Sequence, residues 1–276
     1  MDEGIAAPQV VYEDTSLVAV IKPARMHSVP GIGQGDLCSW TFERYPELRN
    51  AGAGADGMAR SPGEGGLLHR LDYETSGIVL FARDAEAFAS VLAQQEKGSF
   101  QKEYSAFSMA SSNFQPVGSD PENGFPSGMD EDAWTEARYR RDAATLAALL
   151  DSGSGGNPRE VSSVFRSFGP RGSRVACISP DGIGADTEST GRTKKVYRSE
   201  IVGCSTGSSS LELRIRLSRG FRHQIRAHLA WIGLPISGDA LYGGVPDQRL
   251  RLHAISLAFS HPTTGEAMIL SAEGRS

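Results

Sequence analysis

GLLHRLDYETSGIVLFA, residues 66–82, is the stretch on which the reading of the fold turns. Two apolar runs flank a polar turn that offers His69, Arg70, Asp72, Thr75 and Ser76. The second run, residues 77–82, has the length and composition of a buried strand. Beyond it, Asp84 is suited to cap a helix over AEAFASVLAQQEK, with Gly98 as its C-terminal stop. An aspartate in a turn between buried segments is held rigidly while its carboxylate still reaches outward. The ordinary use of such a residue is to accept hydrogen bonds from nearby backbone amides, and the turn alone favours that use for Asp72.

Working outward, period-2 alternation places a hairpin at VVYED (10–14) and LVAVIKP (17–23), and a strand at FQKEYSAFSM (100–109). Residues 36–45 predict a short helix and 50–66 a Gly/Ala-rich loop. Gly31, Gly33 and Gly35 lack both a Lys-Ser/Thr ending and a strand–helix context, so they read as a plain loop. Regularity fails over 111–133 and 151–160, which flank a helix near 142–150; the whole segment 111–192 reads as an insertion. Strands return at VYRSEIV (196–202) and LELRIRL (211–217), followed by a helix over RHQIRAHLAWI (222–232) ended by Gly233. LHAISLAFS (252–260) and EAMILSA (266–272) form a last pair, joined by a turn with Pro262 and Gly265 where a hairpin needs them. This pattern predicts an α+β fold: a mixed, mainly antiparallel sheet with flanking helices.

Composition is that of a globular chain: 276 residues, 22% charged and 39% hydrophobic. Cys38, Cys177 and Cys204 form no CxxC pair, which argues against a disulfide framework or a cysteine zinc site and fits a reducing cytoplasm. The acidic start MDEGIAAPQV lacks the apolar core of a signal peptide. No apolar run reaches the roughly 18 residues of a membrane span. The expectation is therefore a cytoplasmic, monomeric protein with no membrane partner. The net charge of −5 hides an asymmetry. Residues 192–251 carry eleven Lys/Arg against four acids, and residues 120–160 carry nine acids against four arginines. A solvated charged face and a nucleic-acid footprint explain this equally well. His223 and His228 are five residues apart, about 500° around a helix, so they face different ways. With no HExxH pattern either, metal catalysis is disfavoured and no metal is expected.

His69-Arg70-Leu71-Asp72, followed after two residues by Thr75-Ser76-Gly77, closely resembles the signature of the RluA-type pseudouridine synthases. Lys102-Glu103-Tyr104-Ser105-Ala106 resembles a second element of that family. His223-Gln224-Ile225-Arg226 with His228-Leu229, then Gly233, Pro235-Ile236, Gly238-Asp239 and Tyr242-Gly243, resembles a third. Leu252-His253-Ala254 through His261-Pro262, Thr264-Gly265-Glu266 resembles the family's tail. The order agrees, and the resemblance runs from about Val10 to Ala272 outside the insertion. Together these elements outweigh the ordinary capping role for Asp72.

The resemblance implies a single catalytic domain over residues 1–276, with a central catalytic cleft, that isomerises uridine to pseudouridine in structured RNA. That reaction breaks the C1′–N1 bond, rotates the uracil and forms a C1′–C5 bond, and it needs neither redox equivalents nor an external group, so no cofactor is implied. It needs a carboxylate, and the resemblance assigns that role to Asp72. Addition to the base, addition to C1′ and a glycal route through C2′ all start from that carboxylate, and the sequence does not choose among them. Arg226 is implied as the basic partner of the aspartate and Tyr104 as the ring that stacks on the uracil. The base must leave its stack to react, and Arg70 is implied in holding the flipped nucleotide. Lys102, Arg222 and His223 complete the expected RNA contacts, while His69 is expected to brace the loop.

Three departures stand out. The family's frequent Gly-Arg-Thr before His-Gln-Ile-Arg is Gly220-Phe221-Arg222 here, moving the basic residue by one position. With the first hairpin starting near Val10, an S4-type RNA-binding domain is not expected, and the insertion is longer than the usual connection. Two rivals use the same features: a catalytically silent RNA-binding factor, which would have lost Asp72, Tyr104 or Arg226, and a nucleoside hydrolase, which would need a second carboxylate such as Glu74. Family members act on large-subunit ribosomal RNA, transfer RNA or both, and the sequence does not select the target.

Overall fold

The computed structural model describes residues 6–31, 35–52, 63–109, 126–151, 158–180, 195–207 and 210–272. In chain order these hold β1 (Gln9–Glu13), β2 (Leu17–Lys22), α1 (Leu37–Arg44), α2 (Leu48–Ala51), β3 (Ser76–Ala82), α3 (Ala85–Lys97) and β4 (Gln101–Ser108). Then come α4 (Glu131–Arg140), α5 (Ala143–Leu150), β5 (Arg159–Phe168), β6 (Arg174–Ile178), β7 (Tyr197–Thr206), β8 (Leu211–Leu217), α6 (Gln224–Trp231), β9 (Leu252–Ser260) and β10 (Ala267–Ser271). The chain forms two compact units, Met1–Glu103 with His253–Ser276, and Tyr104–Leu252. The expected α+β class holds, with antiparallel pairing predominating.

In the first unit the strand order is β1-β2-β3-β9, with β10 against β9. β2 and β3 are buried along their whole length, which explains why their sequences run apolar instead of alternating. The parallel pair β3–β9 sets Ser76 against His253 and Gly77 against Ala254. Gly77 has φ +125, and a Cβ there would lie 2.3 Å from the Ala254 carbonyl oxygen, so this register requires glycine. α3 starts and stops where its caps predict: Asp84 accepts from the Ala87 amide at 2.8 Å, and Gly98 takes φ +76. It buries Phe88 and Val91, as expected for an amphipathic helix. Of the stretch read as loop at 50–66, α2 takes the start, and residues 53–62 lie outside the described part.

In the second unit the order is β4-β8-β7-β5-β6. α6 is buried at every position, polar residues included, with Leu229 and Trp231 in the core. The helix expected over 222–232 begins later, because His223 takes a left-handed φ of 56 and the Phe221 amide donates to the Gln224 side chain at 2.9 Å. Arg222 and His223 therefore stand before the helix. At the other end Gly233 (φ +83) terminates it as expected. Of the segment read as an insertion, residues 126–151 and 158–180 carry regular structure: α4, α5, β5 and β6. α5 has the expected position, capped by Asp142. α4 is strongly polar and buries only Trp134 and Ala137, so no apolar stripe marks it in the sequence.

Candidate active site

Asp72 sits on the turn that enters β3, half-buried, and its carbonyl accepts the Thr75 amide at 3.1 Å. The turn is braced from the segment after β2. The Ser28 hydroxyl donates to the Leu71 carbonyl at 2.8 Å and accepts the Leu71 amide at 3.1 Å, tying down the peptide groups on both sides of Leu71, the second of which leads into Asp72. Lys22, fully buried at the end of β2, donates to the carbonyls of Pro23 (2.9 Å), Met26 (2.8 Å) and Tyr73 (3.3 Å). Burial pulls its pKa down to about 7, against the attraction of Asp72 and Glu74 for its charge. Three carbonyl acceptors match the three protons of an ammonium, whereas a neutral amine has only two to give. Lys22 thus places a switchable positive charge within electrostatic reach of Asp72.

His69 has the supporting place expected for it, since its Nε2 accepts the Leu80 amide at 3.3 Å and so carries its proton on Nδ1. Ser76 hydrogen-bonds His253 Nδ1 at 2.8 Å, joining the signature turn to the tail element. Arg70 projects outward with 59% of its side chain exposed and pairs at 3.2 Å with Glu64, which is itself buried. Lys102 and Tyr104 lie on the buried face of β4, two residues apart.

In the second unit Arg226 is nearly inaccessible and forms a two-point pair with Asp239: Nε to Oδ2 and an Nη to Oδ1, both at 2.7 Å. Asp239 Oδ1 also accepts the amides of Leu241 (3.1 Å) and Tyr242 (3.2 Å), so one carboxylate fixes both the arginine and the following turn. The guanidinium lies 5.4 Å from the Tyr242 ring centroid. Tyr242 Oη accepts the Val175 amide at 2.9 Å and meets His223 Nδ1 at 3.1 Å. Burial and the charges of Arg226 and Arg222 hold His223 down at about 4, against the pull of Asp239; it is a neutral ring at ordinary pH. Arg222, exposed, donates to the carbonyls of Gly172 and Arg174. His228 is a core residue: fully buried, pushed down to about 3 by burial, between Ser163 (2.9 Å) and Ser199 (2.7 Å). No group of three or more His, Cys, Asp or Glu among the described residues is placed to hold a metal.

Sequence reasoning gave no role to Lys22, Ser28, Asp239 or Tyr242. A lysine ending the apolar run LVAVIK was the available signal for Lys22. Asp239 and Tyr242 lay inside a quoted motif, but nothing in the sequence ties Asp239 to Arg226.

Among the described residues, no helix is long and apolar enough to cross a membrane. The sequence pattern of the RNA pseudouridylate synthase family matches residues 16–231. An uncharacterized RNA pseudouridine synthase of Chloroflexus aurantiacus is 31% identical over 250 residues, covering 88% of this chain and 58% of the relative. Ribosomal large subunit pseudouridine synthase D of Xanthomonas campestris pv. campestris is 27% identical over 290 residues, covering 97% of this chain and 67% of the relative. The chain thus spans between 58% and 67% of the length of these two relatives. In fold it is similar to human RNA pseudouridylate synthase domain containing 1 (TM-score 0.57, 17% identity, covering 96% of this chain and 82% of that one). The same holds for human RNA pseudouridylate synthase domain containing 4 (TM-score 0.52, 18% identity, covering 96% and 87%). With a match that takes in the Asp72 turn, the β4 element and the Arg226 helix, this chain belongs to the RNA pseudouridylate synthase family.

Proposed function

We propose that this chain isomerises uridine to pseudouridine in structured RNA, with Asp72 as the carboxylate that starts cleavage of the C1′–N1 bond. The observation that carries the reading is the Asp72 turn: a half-buried carboxylate on a loop whose neighbouring peptide groups are tied down by Ser28, with the Lys22 charge nearby. Rigid placement of a reacting group lowers the entropic cost of reaching the transition state, and a partly exposed position leaves room for an extruded base. Arg226 is the proposed basic partner of this chemistry, and the Asp239 pair keeps Arg226 itself in one rotamer. Tyr104 serves as the stacking ring, and Arg70, exposed beside the turn, steadies the flipped nucleotide. Isomerisation moves a bond within one nucleotide, so these side chains and the RNA suffice as reactants. Large-subunit ribosomal RNA is the proposed target, from the names of several relatives.

The test is Asp72→Ala, assayed by mapping pseudouridine in large-subunit ribosomal RNA incubated with the purified chain. The expected outcome is loss of product with RNA affinity within about threefold of the parent; product formation by the variant rules out Asp72. Free uridine given to the parent protein should stay unchanged, and its hydrolysis to uracil and ribose would indicate a nucleoside hydrolase instead.

A further inference from the structure

The hairpin of β5 and β6 is not used by the chemistry above, and the sequence around its tip carries arginines without carboxylates. Residues 161–180 contain Arg166, Arg171 and Arg174 and no Asp or Glu. The register sets Arg166 against Ala176 and Phe168 against Arg174, so by strand alternation Arg166, Phe168 and Arg174 share one face. The other face packs inward through Phe165, Val175 and Cys177, all buried. The Arg174 guanidinium carbon lies over the Phe168 ring, 4.8 Å from its centroid. Arg171 is exposed at the tip, in a left-handed conformation with φ 53.

The tip is fastened by residues at which the third motif departs from its family. Phe221, standing where the family often has arginine, stacks on Phe165 of β5 with centroids 4.9 Å apart and planes 4° apart. Arg222 spends its guanidinium on the carbonyls of Gly172 and Arg174, and the Val175 amide is taken by Tyr242. The loop that precedes the Arg226 helix therefore anchors the hairpin, and the hairpin presents the arginines.

We infer that the β5–β6 tip is a clamp for backbone phosphates of the RNA, made by Arg171 and Arg174, with Arg222 as its anchor. Arginine forks suit phosphate oxygens, and a tip without carboxylates adds no repulsion to a polyanion. The inference rests on the reading that the substrate is RNA, and it names the surface that takes the RNA away from the reacting base.

Arg171→Gln/Arg174→Gln and the charge-keeping Arg171→Lys/Arg174→Lys test it, with a large-subunit ribosomal RNA transcript as probe. Affinity is read over a salt series and pseudouridine by mapping. Each lost phosphate contact removes about 0.7–0.9 from the slope of log affinity against log salt, so the glutamine pair should lower the slope by roughly 1.5. It should raise Kd about tenfold or more at low salt, and raise KM with kcat at saturating RNA unchanged, while the lysine pair keeps the slope. Arg222→Lys, with its charge intact but no fork to span two carbonyls, should weaken binding. An unchanged slope and Kd in the glutamine pair overturns the clamp even if the parent makes pseudouridine. A lowered slope in a parent that makes none leaves the clamp standing and removes the isomerase reading.

Discussion

The Asp72 turn and the Arg226 helix hold opposite charges by opposite means. Asp72 is half-buried, and its turn is fixed through backbone contacts, with Ser28 on Leu71 and Lys22 on the Tyr73 carbonyl. Arg226 is buried almost completely and fixed side chain to side chain by Asp239. In the proposed reading Asp72 meets the substrate and has to remain partly open, so its rigidity comes from the peptide units around it. A group that only shapes the field can be buried, but then its charge requires a full partner. The first arrangement should therefore fail in catalysis when altered, and the second in folding.

Asp239→Ala should break the comparison most visibly. It leaves the Arg226 guanidinium buried without its carboxylate and frees the amides of Leu241 and Tyr242. Removing one partner of a buried pair costs roughly 3–5 kcal/mol, so urea unfolding should show a loss of that order. Asp72→Ala should cost less than this, since its carboxylate is only half-buried. Equal losses in the two variants would remove the distinction.

Lys22 sits between the two cases, buried like Arg226 but bonded mainly to carbonyls. Its pKa in the fold, about 7, lies below the ordinary 10.5 because burial disfavours its charge. Below about 7 the folded and unfolded chains both carry the proton. Between about 7 and 10.5 only the unfolded chain does, so raising the pH through that window should stabilise the fold. Lys22→Met has nothing to titrate there. Unfolding free energies at several pH values from 7 to 10 should rise more steeply for the parent than for the variant; parallel curves would show that Lys22 keeps an ordinary pKa.

How much of this was legible depended on distance along the chain. α3 was readable to the residue because Asp84 and Gly98 cap it locally. The Asp72 turn was readable because apolar runs flank it, and the resemblance supplied its chemistry. Its braces were not, since Ser28 lies 43 positions away and no local pattern pairs a serine with a distant leucine. Arg226 was identified, but the partner that holds it was found only in the fold, where the turn after α6 brings Asp239 back. The start of α6 was misplaced by two residues because a left-handed His223 leaves no mark in a helical pattern. The β5–β6 hairpin falls in a segment whose Gly- and Ser-rich neighbours made it read as an insertion.

Ser28→Ala gives a smaller effect than Asp239→Ala and the sharpest reading of the comparison. The hydroxyl is buried, touches no charged group in its two bonds, and serves only the Leu71 amide and carbonyl. Losing it leaves two buried backbone groups short of a partner, a cost of about 1–3 kcal/mol. If the turn owes its precision to backbone bracing, the same change should lower kcat by roughly tenfold or more with RNA affinity unchanged, because a displacement near 1 Å at a reacting group is costly. Ser28→Thr, which keeps the hydroxyl, should recover part of that loss. A destabilised Ser28→Ala protein with full kcat would mean that Asp72 is positioned by its side-chain surroundings, as Arg226 is, and that the two regions differ only in exposure.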